Sequence, residues 1–445
     1  MKDLLIRNAL VVNRHRIEAT DILVHEGRIV QMGGQISGQA RREVDATGHW
    51  VLPGIIDDQV HFREPGLTHK ATIYSESRAA VMGGVTSFME MPNVNPPSVT
   101  QERLAEKYAI GARTSLANYS FYMGVTNDNY DEVMRTDPHS VCGIKIFMGS
   151  STGDMLVDNP GTLERLFAHT PMLIATHCED EATVRHNMAA FQARLGDQLH
   201  ARNHPDIRSV EACLLSSTFA VELAKKHGTR LHVLHISTAD ELALFDNTLP
   251  LADKRITAEV CVHHLFFSAA DYERLGNLIK CNPAIKSAAH RDALLPALLD
   301  GRLDVVATDH APHTLAEKNQ PYATAPSGLP LIQHTLNLML EFYHRGHISI
   351  ETIVDKMCHA PAVAFQIAER GYVEEGAWAD LCIVDPNAEW TVSKDNIAYL
   401  CGWSPLEGHR FKGRVVSTIV SGHLAWHEGR LDEGKMGERL GFGRV

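Results

Sequence analysis

The chain has 445 residues, of which 44% are hydrophobic and 22% charged, with a formal net charge of −12. This composition is typical of a compact globular protein and excludes a largely disordered or fibrous chain. The negative charge, without any basic cluster, argues against a nucleic acid or an anionic membrane surface as the main partner, and favours a small molecule.

The first residues and the cysteines predict a cytoplasmic protein. The opening segment MKDLLIRNALVVNRHRIEA carries charges inside its apolar stretch, which favours a β-strand over a signal peptide. No apolar run approaches the roughly 20 residues that a membrane span needs. The eight cysteines are scattered without a C-x-x-C pair, which is typical of free thiols in a reducing compartment.

In chain order, short strands come first, alternating strands and helices follow, and short strands return. Residues 1–49 and 372–430 contain short strand-like runs separated by Gly, Asp and Asn turns, and we expect them to pair as one small β-sandwich. Residues 431–445 show no periodicity and predict a surface tail.

Between residues 50 and 371, eight strand-like runs mostly alternate with amphipathic helical stretches. This pattern predicts an α/β fold with a (β/α)8, TIM-like barrel; a doubly wound open sheet is the less favoured alternative. The runs are WVLPGIIDDQVHF, TSFMEMP, LANYSFYMGV, CGIKIFMG, MLIATHC, LHVLHIS, ITAEVCVHHL and LDVVATDH.

Five of these runs carry a residue that can bind a metal or react with substrate at or near the end of the strand. They are His61, Lys145, His177, His235 and Asp309. Catalytic groups of such barrels lie at the carboxyl ends of the strands, so we expect the five to meet at one mouth. Each histidine alone could be an ordinary hydrogen-bonded core residue. Three imidazoles and a carboxylate together are a zinc-type donor set.

Lys145 lies between two isoleucines on a predicted inner strand, where an ammonium would be desolvated. Its neutral amine would then be available to react with CO₂ and form a carbamate, an anionic ligand that can bridge two metals. Alternatively, Lys145 pairs with Asp309 or Glu179 and binds no metal. Residue spacing leaves both interpretations open.

These five positions, together with the motifs HFREPG, MEMPNVNPP, GIKIFMG and DHAPHT, resemble the cyclic amidohydrolases of the amidohydrolase superfamily. The motifs are most similar to those of the dihydroorotase family, and the similarity covers nearly the whole chain. The resemblance implies a metal-dependent hydrolase barrel with a β-sandwich built from both termini. It also implies reversible hydrolysis of dihydroorotate to N-carbamoyl-aspartate and a homo-oligomer, either a dimer or a tetramer.

The resemblance further assigns roles to individual residues. His61 would bind the more buried of one or two zinc ions, carbamylated Lys145 would bridge the ions, and Asp309 would be both ligand and proton shuttle. His177 and His235 would bind the second ion. The residues implied in substrate binding are Arg63, Asn93, Asn282 and His313.

Gln59 departs from the family pattern, which has His-x-His where this chain has Gln59-Val60-His61. An amide oxygen is a weaker zinc donor than imidazole. Three outcomes are open: a weakened two-metal site, a one-metal site, or loss of activity. The first two are favoured because the other implied ligands are all present.

Two rival functions remain. Another cyclic amidase, of the hydantoinase or allantoinase type, is disfavoured by Arg63, since a guanidinium suits the carboxylate of dihydroorotate. A non-catalytic scaffold is motivated by Gln59. Residues 310–330 predict a long loop, either a closing lid or a static cover. For His263 and His264 we expect a packing or supporting role rather than ligation.

Overall fold

Both ends of the chain build one β-sheet. A computed structural model describes residues 2–149 and 155–443. Within them this sheet has nine strands, in the order β18-β17-β16-β15-β5-β1-β2-β3, with β4 paired to β1. The N-terminal strands are β1 (Lys2–Asn13), β2 (Arg16–His25), β3 (Arg28–Gly33), β4 (Ala40–Asp45) and β5 (Trp50–Pro53). The C-terminal strands are β15 (Leu381–Thr391), β16 (Arg410–Val420), β17 (His423–His427) and β18 (Arg430–Leu431).

The apolar core of this sheet needs residues from both termini. Ile6 and Ile22 from the N-terminal strands pack in the same buried cluster as Leu381 and Ile383 from β15. Strands β5 and β15 pair directly, in antiparallel register. Since neither end of the chain supplies this core alone, the prediction of a β-sheet domain formed by both termini is confirmed.

The middle of the chain forms a parallel barrel. Its strands are β6 (Ile55–Val60), β7 (Val85–Glu90), β8 (Asn118–Phe121) continued by β9 (Met123–Gly124), β10 (Ile144–Phe147), β11 (Ile174–His177), β12 (Leu231–Val233), β13 (Ile256–Cys261) and β14 (Val305–Ala307). The barrel closes where Val60, at the end of β6, forms a parallel bridge with His310 beyond β14. The predicted (β/α)8 fold is therefore confirmed.

Helices connect the barrel strands, and further helices follow the last strand, β14. They are α1 (Ile73–Met82), α2 (Gln101–Thr114), α3 (Tyr130–Met134), α4 (Pro160–His169), α5 (Glu181–Leu195), α6 (His204–Ile207), α7 (Val210–His227), α8 (Val262–Phe266), α9 (Tyr272–Leu275), α10 (Ala288–Leu299), α11 (Leu315–Lys318), α12 (Thr335–His344), α13 (Ile350–Val354) and α14 (Ala360–Phe365), with a π-helical turn at Asp355–His359. Side-chain caps define where several begin: the Asp180 carboxylate accepts from the Thr183 amide at the start of α5. This cap limits the connection between β11 and α5 to residues 178–180.

Three segments differ from the sequence-based expectation. The run WVLPGIIDDQVHF is two strands, because Gly54 separates β5 of the terminal sheet from β6 of the barrel. The C-terminal segment is not a surface tail throughout, since Leu440 and Phe442 are buried against the barrel. His263 and His264 lie in α8 rather than in a strand. For Leu440 and Phe442 the reason is packing against the barrel, which sequence periodicity could not show.

Candidate metal and substrate site

A cavity of about 370 Å³ opens at the carboxyl end of the barrel strands. It brings together every residue that the sequence suggested for metal or substrate binding. Those residues are Gln59, His61, Arg63, Asn93, Lys145, His177, His235, Asn282, Asp309 and His313. The cavity wall also includes Arg208 and Lys280, which sequence reasoning did not single out, and residues 325–328 of the segment predicted to be a long loop.

His177 and His235 form the first pair of candidate ligands. The Nδ1 atom of His177 lies 2.8 Å from the Nε2 atom of His235. The other nitrogen of His177, Nε2, lies 2.9 Å from a carboxylate oxygen of Glu179. This contact fixes the orientation of the imidazole, as carboxylates commonly do for metal-binding histidines. Glu179 was not predicted for this role, although its position two residues after His177 places both side chains on the same side of an extended chain.

His61 and Asp309 form the second pair. The Nε2 atom of His61 lies 3.1 Å from an Asp309 carboxylate oxygen, and its Nδ1 atom lies 2.8 Å from Asn93 Oδ1. The Asn93 oxygen accepts a hydrogen from Nδ1, which leaves Nε2 with a lone pair. Asn93 therefore orients His61.

The backbone at three site residues is left-handed. Arg63, His235 and Asp309 have φ angles of +68°, +43° and +47°. This conformation is uncommon for residues other than glycine and is frequent at functional sites. His235 and Asp309 lie two residues beyond the ends of β12 and β14, so turns direct their side chains, rather than the strand alternation expected from sequence.

Lys145 is buried in β10 and lines the cavity. Burial lowers the pKa of its ammonium to about 7, against the opposing influence of Asp309 and Glu259. In the described part of the chain, the carboxylates of Asp309 and Glu179 pair with His61, His177 and Arg208, and no ion pair joins either of them to Lys145. The structure thus lacks the ion pair that the alternative interpretation of Lys145 required.

Gln59 lies beside a network of buried polar groups. Its side-chain oxygen is 3.8 Å from the Cys261 sulfur, and Cys261 is 3.6 Å from a Glu259 oxygen. The same Glu259 oxygen accepts the backbone N–H of His235 at 3.0 Å. The second Glu259 oxygen and Asp58 both face His232, at 3.4 and 3.2 Å. This network connects the floor of the cavity to the turn that carries His235.

Arg63 and His313 form a cationic and polar corner of the cavity. The Arg63 Nη2 atom lies 3.0 Å from His313 Nε2, and Arg63 Nε donates to the Pro312 carbonyl at 3.0 Å. Burial lowers the pKa of Arg63 to about 10, so the guanidinium stays charged at neutral pH. Burial and the nearby cations Arg63 and Lys70 lower the pKa of His313 far below its usual range, which keeps this ring neutral. The corner carries a net positive charge.

Asn282 lines another part of the cavity wall. Its side-chain oxygen is 3.1 Å from His204 Nε2, and the other nitrogen of His204 is 2.7 Å from the Tyr322 hydroxyl. Arg208 also lines this wall and contacts a Glu179 carboxylate oxygen. Nothing in the spacing of Arg208 or His204 distinguishes them from surface residues, because each enters the site through a helix or turn between β11 and β12.

The donor set fits a divalent metal ion. Burial is the main cause that lowers the pKa of each of the three imidazoles, so all three are neutral, as metal ligation requires. The Nδ1 atom of His235 is buried and has no hydrogen-bond partner among the described residues. Two imidazole nitrogens that approach to 2.8 Å beside a carboxylate are the nitrogen and oxygen donors that zinc prefers.

Comparison with known proteins agrees with this geometry. The amidohydrolase family profile matches residues 50–425. A dihydroorotase from Halobacterium salinarum is 36% identical over 410 residues, 91% of this chain and 93% of its own length. An allantoinase from Deinococcus radiodurans is 30% identical over 440 residues, 96% of each chain. The structure of an L-hydantoinase from Arthrobacter aurescens superimposes with a TM-score of 0.92 at 26% identity, over 97% of this chain and 98% of that one.

The chain belongs to the amidohydrolase family. Its fold, its cavity at the carboxyl ends of the barrel strands and its histidine and carboxylate donors are those of a metal-dependent hydrolase. The relatives above are cyclic amidohydrolases by name, and their similarity extends through the terminal sheet as well as the barrel. No helix in the described ranges has the length and apolar character to cross a membrane.

Proposed function

We propose that this chain is a dihydroorotase, which interconverts dihydroorotate and N-carbamoyl-aspartate. The observation that carries the proposal is the placement of Arg63 and His313 in the same cavity as the candidate metal ligands. Dihydroorotate carries a carboxylate on its ring, and a buried guanidinium is well suited to bind it. Relatives named dihydroorotase, at 30–36% identity over most of the chain, support the same substrate.

In this proposal zinc is held by His61, His177, His235, Asp309 and a carbamate on Lys145. The neutral Lys145 amine attacks CO₂ and loses one proton, which gives the anionic carbamate. Zinc in such a site polarises the amide carbonyl and lowers the pKa of a water molecule. Gln59 occupies the position of a further ligand and supplies at most a weak amide oxygen donor. Either one ion or a weakly held pair of ions is compatible with this set.

The residues of the chain then carry out the proton transfer. Asp309 accepts a proton from the attacking water and delivers it to the leaving ring nitrogen, so the C–N bond breaks as a C–O bond forms. The Nε2 lone pair of His61 lies 3.1 Å from the Asp309 carboxylate, so both groups would face the same metal ion. Ring closure follows the same path in reverse. The oxygen of the added water becomes part of the new carboxylate, and one of its hydrogens is carried by the nitrogen of the released ureido group.

Four polar residues of the cavity are proposed to orient the substrate: Arg63, His313, Asn93 and Asn282. Arg63 binds the ring carboxylate, and the scissile amide then faces the metal ligands on the same cavity wall. The proposal includes a cytoplasmic location and assembly as a dimer or tetramer. Eight free cysteines, seven of them buried, support the location, and the resemblance to cyclic amidohydrolases supports assembly.

The test is turnover by purified protein supplied with zinc and bicarbonate. Ring opening and closing are followed by the ultraviolet absorbance of dihydroorotate, with allantoin, hydantoin and dihydrouracil as competing substrates. We expect turnover of dihydroorotate that a chelator removes and zinc restores. Turnover of allantoin or a hydantoin alone would replace the substrate assignment. Absence of both bound metal and turnover would favour the scaffold function.

A further inference from the structure

The wall of the cavity above Arg63 and His313 is a loop of residues 319–328, here called the cover loop. It follows α11 directly, and residues 325–328 face the cavity. The carbonyl of Ser327 lies 2.9 Å from His313 Nε2 and accepts its hydrogen, because the other nitrogen, Nδ1, faces the Lys70 ammonium at 3.1 Å and so carries the lone pair. Arg63 Nη2 then packs against Nε2 without a hydrogen bond between the two nitrogens. Gly328 has φ +136°, and a Cβ atom there would lie 2.4 Å from the Ala311 carbonyl oxygen. The cover loop therefore contacts the substrate corner closely.

The Lys318 ammonium holds the cover loop at its C-terminal end. Its Nζ atom donates to the carbonyls of Lys280, Pro326 and Gly328 at 3.2, 2.9 and 2.7 Å. These three bonds use all three N–H groups of an ammonium. Within the described residues no carboxylate lies within 4 Å of Lys318, and the side chain is 1% exposed. Burial lowers the pKa of this ammonium well below its usual range, and the three carbonyls oppose that shift because they replace its lost hydration.

A second ammonium holds the middle of the same loop. Lys280 Nζ donates to the carbonyls of Tyr322 and Ala325 at 2.8 and 2.6 Å, and lies 4.3 Å from the centre of the Tyr322 ring. The Gly328 amide donates to the Lys280 carbonyl at 2.8 Å. Four carbonyls of the cover loop are thus bound by two lysine side chains. Hydrogen bonds to charged groups are stronger than those between neutral groups.

We propose that Lys318 and Lys280 are positioning residues that fix the cover loop as a static wall and so hold His313 against Arg63. The chain of contacts runs from the ammonium groups to the loop carbonyls, from Ser327 to His313, and from His313 to Arg63. This inference rests partly on the proposed function, because it assigns the wall to recognition of a substrate carboxylate. A mobile lid would instead have to open without breaking hydrogen bonds to buried ammonium groups, whereas opening of the cover loop would break four of them.

The first experiment measures hydrogen exchange of residues 319–328 in the substrate-free protein. Lys318→Met removes the three N–H donors while keeping an unbranched side chain, and Lys318→Gln retains one donor group. Lys356→Met is the matched control, since Lys356 is also buried and donates to the Leu303 carbonyl, on the opposite side of the barrel from the loop. We expect faster exchange of the loop in both Lys318 variants, more in the methionine one, and unchanged loop exchange in the control.

The second experiment separates positioning from general stability. For Lys318→Met we expect the KM for dihydroorotate to rise about tenfold while kcat changes less than about threefold, as loss of charge-assisted hydrogen bonds predicts. Turnover of a neutral cyclic amide should change little. In Lys318→Ala, added methylammonium should restore part of the loop protection and of the low KM.

Unchanged loop exchange in both Lys318 variants would overturn the proposal, and so would a fall in kcat with an unchanged KM. If Lys318→Met fails to fold, Lys318→Gln and Lys280→Met decide by the same readouts. The hydrogen-exchange result does not depend on any substrate. If the wild-type protein does not turn over dihydroorotate, the proposed function is wrong. The hydrogen-exchange data would still test whether Lys318 and Lys280 fix the cover loop.

Discussion

His177 and His235 approach each other through ring nitrogens 2.8 Å apart, at the ends of adjacent strands β11 and β12. Both rings are neutral because burial lowers the pKa of each one, so one nitrogen of the pair carries a hydrogen and the other accepts it. A neutral imidazole binds a metal through one nitrogen and keeps its hydrogen on the other, so the shared hydrogen would move to Nδ1 of His235, which has no partner among the described residues. We therefore expect metal binding to release no proton from these two rings at neutral pH, and to weaken only below the usual imidazole pKa of about 6.5, where the rings begin to be protonated.

Glu179→Gln should weaken zinc binding. The Glu179 carboxylate orients His177 and raises its basicity, whereas an amide keeps the size but not the charge. Loss of such an orienting group typically weakens metal affinity by about 10- to 100-fold. The measurement is zinc competition against a chromophoric chelator. Glu211→Gln, on the exposed face of α7, is the control and should bind zinc as the wild type does.

Gln59→His should strengthen metal retention. An imidazole at this position adds a nitrogen donor beside His61, whereas the present amide contacts Cys261. We expect more zinc per chain after dialysis against a weak chelator, determined by elemental analysis. Gln59→Leu, which adds no donor, serves as the comparison. Equal zinc content in the wild type and the histidine variant would show that residue 59 lies outside the coordination sphere.

The sequence was sufficient to predict the barrel and the composite terminal sheet. It also predicted that His61, Lys145, His177, His235 and Asp309 meet at one mouth, because strand ends in a parallel barrel converge whatever the loops do. The other five predicted residues that line the cavity came from the resemblance to a known family. The sequence was not sufficient for the contacts that orient them. Arg208 and Lys318 enter from helices whose placement depends on tertiary packing, and the left-handed turns at His235 and Asp309 leave no compositional signal. The sequence showed that Glu179 follows His177 by two residues, but it did not show that the Glu179 carboxylate contacts the His177 ring.

Arg63→Gln should weaken binding of a substrate that carries a carboxylate more than binding of a neutral one. The buried guanidinium keeps its charge at neutral pH and is held by the Pro312 carbonyl, so it is already oriented for a carboxylate. We expect the KM for dihydroorotate to rise at least about tenfold, the effect of losing a charged hydrogen bond. Steady-state kinetics with dihydrouracil, which lacks the carboxylate, provide the comparison. An equal loss for both substrates would contradict the assignment of Arg63 to the carboxylate.

Carbamate formation at Lys145 should depend on pH. Burial brings the pKa of the Lys145 ammonium down to about 7, so the reactive neutral amine becomes the major form above that pH. In metal-free protein supplied with 13C-bicarbonate, the carbamate carbon signal should grow between pH 6 and 8. The signal should be absent in Lys145→Gln. A signal that does not change over this range would show that protonation of Lys145 does not limit the reaction.

The buried carboxylates of Asp58 and Glu259, which face His232 beneath the cavity, should make the stability of the fold decrease at alkaline pH. Burial alone would lower the pKa of His232, but the Asp58 and Glu259 carboxylates outweigh it and raise the pKa to about 9. A folded-state pKa above the unfolded value near 6.5 means that the folded protein binds this proton more tightly. The resulting stability is fully present below about pH 6.5 and is lost as the pH rises through about 9.

His232→Gln removes the cation and leaves two buried carboxylates facing each other. Removing one partner of a buried ion pair costs about 3 kcal/mol or more, so we expect a clear loss of unfolding free energy at pH 7. Denaturant titrations from pH 7 to 9.5 should show declining stability in the wild type and a flatter profile in the variant. His186→Gln, on the exposed surface of α5, should follow the wild-type profile. Parallel profiles for the wild type and His232→Gln would mean that His232 is neutral in the folded protein, and that Asp58 and Glu259 share a proton instead.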